Sequence, residues 1–149
     1  MNKKTIISNS IEEEYNYFIN AIAKKAAMVP KKRLMIITTD KEYYNNLIDK
    51  LKEEDMNIKQ IGSEYCSVKN GYNTIAEIVN LRSIFNLQEF LTGKRVDCLY
   101  IKLTDISSVI LHHNKSLMNK IYLSLIHSED STVTFITDGT CIIKNEISI

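Results

Sequence analysis

Arg33-Leu34-Met35-Ile36-Ile37-Thr38-Thr39-Asp40 is the stretch on which the fold turns. Leu34 to Ile37 is a continuous apolar run of strand length, with no polar residue alternating through it. Such a run suits a strand buried on both faces. Pro30, just upstream, cannot continue a helix, and Asp40, just downstream, carries a side chain suited to cap one. A doubly buried strand feeding a helix points to a mainly parallel sheet with helices on both sides.

Working outward, the same alternation recurs. Upstream, the short apolar run Thr5-Ile6-Ile7 is followed by Ser10 and Glu13 at capping-box spacing. Ile11, Tyr15, Phe18, Ile22 and Ala26 then recur at steps of three and four, which predicts a helix with one buried face. Downstream, Tyr44, Leu47, Ile48 and Leu51 form a second helical stripe that ends in Lys52-Glu53-Glu54-Asp55, and Ile58 to Ile61 reads as a short strand ending at Gly62. Asn70 to Gly93 is expected to be mostly helix, starting from Thr74 and Glu77 as a capping box or from Asn80 as a cap. Val96 to Ile101 is another apolar strand, ending in the polar group Lys102 to Asp105. A helical region with Leu117, Ile121 and Leu125 on one side follows, interrupted at Asn114. Val133 to Ile136 is a strand, Asp138-Gly139 is a turn signal, and Cys141 to Ile143 with Ile147 can pair back as a hairpin. The order predicts a three-layer α/β/α sandwich, Rossmann-like, with a mainly parallel sheet and a C-terminal β-hairpin, over one domain spanning 1–149.

The balance of 44% apolar and 25% charged residues is that of a folded globule, and a formal net charge of +1 gives no global field toward nucleic acid or membrane. Cys66, Cys98 and Cys141 are odd in number and widely spaced, which reads as reduced core thiols. With no signal-like stretch and no membrane-length apolar run, the expected location is the cytoplasm.

The strand texts Arg33 to Asp40, Val96 to Thr104 and Thr132 to Gly139, followed by Cys141 to Glu146, resemble the RecA/KaiC-like branch of the P-loop ATPases. That resemblance implies a phosphate-binding loop after the first strand and a metal-coordinating Asp at the end of a later one. Here the loop text is Ile6-Ile7-Ser8-Asn9-Ser10-Ile11-Glu12-Glu13-Glu14, without glycine and with three carboxylates, and the Asp position falls on Lys102. A phosphate loop needs glycines and a lysine, and an ammonium cannot ligate Mg²⁺. The resemblance is therefore to a degenerate form lacking both Walker motifs, with no cofactor, no metal and no catalytic residue expected. It also implies self-association or a protein partner.

In open parallel sheets, ligands lie beyond the carboxyl ends of the strands. Thr38, Thr39, Asp40, Lys102, Thr104, Asp105, Thr137 and Asp138 fall at such ends and are the candidates for a polar ligand pocket, the basis of an alternative reading as a small-molecule or nucleotide-binding enzyme or sensor. Asp40 and Asp105 also stand where helix caps belong. Lys24, Lys25, Lys31, Lys32 and Arg33 form a candidate basic patch, the basis of a third reading as a nucleic-acid accessory protein, set against the simpler one of cations at a helix end. His112 and His113, adjacent on a helix, point about 100° apart and cannot readily share a metal. Exposed positions within Leu81-Ile84-Phe85-Leu91 or Val109-Leu111 are candidates for a protein interface.

Overall fold

In the computed structural model, residues 2–8, 10–26, 33–124 and 131–138 are described. The chain runs β1 (Asn2–Ser8), α1 (Ile11–Ala26), β2 (Leu34–Thr38), α2 (Lys41–Glu53), β3 (Asn57–Ile61), β4 (Tyr65–Asn70) and β5 (Asn73–Asn80). A tight helical turn at Ile84–Asn86 leads into α3 (Leu87–Leu91), then β6 (Cys98–Lys102), α4 (Asp105–His112), α5 (Lys115–Ser124) and β7 (Thr132–Asp138).

The seven described strands form one sheet in the order β1-β7-β6-β2-β5-β4-β3. The first five positions are parallel, and β4 and β3 extend the sheet, with β4 antiparallel to β5 and β3 antiparallel to β4. Every residue of β2 is buried, as its unbroken apolar text requires, and β6 is buried throughout in the same way.

The alternation of side chains divides the core in two. On one face Ile36, Ile78 and Ile136 meet Phe18 and Ile22 of α1 and Tyr44, Leu47 and Leu51 of α2. On the other, Met35, Leu99 and Phe135 meet Leu87 and Leu91 of α3, Leu111 of α4, and Leu117 and Ile121 of α5. The α/β/α layering is thus as the sequence implies. The expected interruption at Asn114 separates α4 from α5, where its Oδ1 accepts the Leu117 N–H at 3.0 Å.

One expectation fails. Most of the stretch from Asn70 to Gly93 is strand and turn, with only α3 and the preceding helical turn helical. Asn70-Gly71 is a hairpin dipeptide, Gly71 takes φ 63°, and β4 pairs back on β5 with Asn70 opposite Asn73. Thr74 and Asn80, read as helix caps, are strand residues. Thr74, Ile75, Ile78 and Val79 are β-branched, and pairing with the buried β2 overrides the local capping signal. Tyr65 to Asn70 is a further strand that the expected order omitted. The expected C-terminal hairpin, with Cys141, lies outside the described residues.

Candidate functional site

Strands β2 and β6 are neighbours, yet the helices that follow them go to opposite faces. Buried Tyr43, Tyr44 and Leu47 of α2 belong to the α1 side of the core, and Leu111 of α4 to the α3 and α5 side. This is the switch point at which an open parallel sheet leaves a crevice.

The crevice holds a hollow of about 420 Å³ whose polar lining includes Thr39, Asp40, Arg82, Ser83, Thr104 and Ser107. Three sequence candidates, Thr39, Asp40 and Thr104, therefore come together. Two of them already cap helices. Asp40 accepts the Tyr43 N–H at 3.2 Å, and Thr104 Oγ1 accepts the Ser107 N–H at 3.1 Å while Ser107 Oγ accepts the Thr104 N–H at 2.7 Å. The cap of α4 is thus Thr104 rather than Asp105, which is the helix's first residue. Asp138 ends β7; the side chains of Asp105 and Asp138 lie outside the described set. Thr137 is buried in β7.

Thr38 and Lys102 do not line this hollow. Both are buried on the α1 and α2 side of the sheet, Thr38 with its Oγ1 accepting the Asp40 N–H at 3.1 Å. Lys102 Nζ lies 2.6 Å from Glu14 Oε1, with the two side chains 10% and 1% exposed. Tyr43 donates its hydroxyl to the same Oε1 at 2.9 Å, Ser8 donates to Oε2 at 2.6 Å, and the ammonium stands 5.2 Å from the Tyr43 ring centroid. Both carboxylate oxygens are satisfied, the condition under which a buried ion pair is tolerated. Burial, and then the Glu14 charge, hold the Tyr43 phenol well above its ordinary range, so it stays a donor.

The sequence places Ser8 and Glu14 only in the loop text and Tyr43 only beside the basic patch, and nothing in it joins the three to Lys102. A signal was present for Glu14: it stands four residues before Phe18, on the edge of the buried stripe, whereas Glu12 and Glu13 are exposed. The two places where the resemblance puts a phosphate loop and a metal-binding carboxylate thus meet directly, with the charges reversed between helix and strand. An incoming nucleotide would face Glu14 and displace a satisfied ammonium. These residues do not fit a nucleotide with Mg²⁺.

The candidate basic patch is divided. Lys24 and Lys25 border a hollow of about 450 Å³ together with Tyr17, Asn20 and Tyr100. Tyr17 and Tyr100 are both shifted to higher pKa, first by burial. Arg33 is committed elsewhere: its guanidinium grips Glu77 through Nε at 2.7 Å and Nη2 at 3.1 Å, and Tyr65 donates to the same carboxylate at 3.1 Å. Lys31 and Lys32 lie outside the described residues. Among the described residues no helix is long and apolar enough to cross a membrane.

No protein-family model matches the sequence, and no curated protein matches it. Solved structures do. A large terminase from a thermophilic bacteriophage superposes with a TM-score of 0.58 at 12% identity, over 98% of this chain and 36% of the terminase. The ATPase domain of the Thermus phage P74-26 large terminase gives 0.52 at 9% identity, over 91% of this chain and 59% of that one. The chain thus spans about a third of the first and somewhat over half of the second. At these identities the likeness concerns the fold alone: this α/β sandwich is similar in fold to those terminase structures.

Proposed function

We propose that this chain is a non-catalytic RecA/KaiC-like domain that works as a regulatory or assembly protein through protein-protein contacts, with itself or with a partner. The observation that carries this reading is the Glu14–Lys102 pair, which closes the corner where the resemblance would seat phosphate and metal. A surface for contact is available. Of the candidate stretches, Phe85 and Val109 are exposed, whereas Leu81, Ile84, Leu91 and Leu111 are core; Ile106, outside those stretches, is 75% accessible beside them in sequence.

Titration calorimetry with ATP, ADP and GTP, with and without Mg²⁺, is the test, on protein whose mass is set by light scattering. No heat and no thermal stabilisation are expected. Nucleotide binding in the micromolar range that is abolished by substituting Lys102 would overturn the reading.

A second reading, a small-molecule sensor or enzyme, is favoured by one feature, the switch-point hollow with Thr39, Asp40 and Thr104 on its wall. It expects ligand binding that weakens on Thr39→Val while Lys102 substitutions leave it unchanged.

A further inference from the structure

At the other end of the sheet, near the start of β6, a separate hollow of about 350 Å³ is lined by Leu91, Thr92, Gly93, Lys94, Arg95, Lys120 and Leu123. Three of these side chains are cationic and none is acidic. Lys94 has a structural explanation: its ammonium donates to the Phe90 carbonyl at 2.8 Å and lies 4.3 Å from the Phe90 ring centroid. Among the described residues nothing gives Arg95 or Lys120 such an explanation. Among the described residues neither meets a carboxylate, although Lys120 is half-buried.

Like charges gathered around a concavity raise its potential and repel one another until an anion enters. An ordinary solvated surface intersperses carboxylates and spreads its cations. The walls add a second element, because Leu91 and Leu123 give the hollow apolar sides, and Leu123 is 66% exposed with no core role to explain it. At Gly93, with φ 76°, nothing lies within 4 Å of where a Cβ would stand, so the backbone is open to close approach.

We propose that this hollow binds a phosphate-bearing ligand, its anionic group held by Lys94, Arg95 and Lys120 and its less polar part resting on Leu91 and Leu123. The proposal does not depend on the reading of the nucleotide corner, which lies at the opposite ends of the strands. A small phosphorylated molecule and a nucleic-acid strand present the same chemistry, and salt dependence separates them. A strand releases counterions as it binds and weakens steeply with salt.

The test titrates inorganic pyrophosphate, AMP and a thymidine oligonucleotide into the full chain at low salt. Three proteins are compared: the unsubstituted chain, the double variant Arg95→Gln with Lys120→Gln, and a charge-matched control, Lys59→Gln with Lys69→Gln, on the distant β3–β4 edge. Thermal melts confirm that all three fold. At least one probe is expected to bind, the double variant to lose roughly tenfold or more in affinity, and the control to match the parent. Pyrophosphate or AMP binding identifies a small ligand, and binding of the oligonucleotide alone, falling with salt, identifies a strand. Absence of binding by all three probes, retention of binding in the double variant, or equal loss in the control would each overturn the proposal.

Discussion

Glu14 in the first turn of α1 and Lys102 at the last position of β6 approach to 2.6 Å, and almost no solvent reaches either side chain. Removing one partner strands the other charge in the core, which costs about 3–5 kcal/mol. Lys102→Met or Glu14→Gln alone should therefore lower stability by that amount in urea unfolding. The double variant Glu14→Leu with Lys102→Met should recover most of it. Equal and additive losses would mean that the two groups are not coupled.

Asp40 separates capping from ligand binding. Asp40→Ala removes the acceptor for the Tyr43 N–H and should cost about 1 kcal/mol, whereas Asp40→Asn keeps an acceptor and should cost only a few tenths. Denaturation midpoints measure both.

Gly71 is required by its backbone. At φ 63° a side chain is strained even with no atom within 4 Å, so Gly71→Ala should cost about 1–2 kcal/mol and Gly71→Asn less. Equal stability of the alanine variant would show that the hairpin tip relaxes.

Alkali should unfold the protein early. Burial pushes the Cys66 thiol up from 9.0 to about 11, and burial together with the Glu77 charge pushes the Tyr65 phenol from 10.0 to about 12. Tyr43, Tyr44 and Tyr100 shift in the same direction. A raised folded value means that the folded state holds its proton more tightly. The corresponding stability is present in full below the unfolded values and is lost as pH rises toward the folded ones. Melting temperature should fall from about pH 9 upward, and phenol ionisation, followed by near-ultraviolet absorbance, should arrive together with unfolding.

The parts of the fold that were legible are those whose local pattern and tertiary role agree. Leu34 to Ile37 lies within buried β2, Val96 to Ile101 overlaps buried β6, which begins only at Cys98, and Tyr44, Leu47 and Leu51 form one buried helix face. The stretch around Thr74 is not legible locally, because capping spacing is a local signal and strand pairing with Met35 to Thr38 is not. The signal that does favour strand there is the Asn70-Gly71 hairpin dipeptide. Site residues were legible where caps and strand ends coincide, at Thr39, Asp40 and Thr104. Lys102 was singled out, but its partner was not, because no spacing in the chain links residue 14 to residue 102; only the crossover of α1 over the sheet joins them. Arg95 and Lys120 went unnoticed for the same reason, being brought to one hollow by the fold from two separate segments.

The register between β1 and β7, with Asn2 opposite Thr132 and Ser8 opposite Asp138, governs the order in which this sheet can assemble. Among the described strands β1 has only β7 as a neighbour, so β1 cannot pair within this sheet until β7 has been made. Until then α1 can rest its apolar stripe only on a partly built sheet, and the outer edge of β6 is open to pairing with another chain. Folding of the α1 side should therefore lag behind that of the β4–β5 hairpin side, and nascent chains arrested before residue 132 should be the aggregation-prone species.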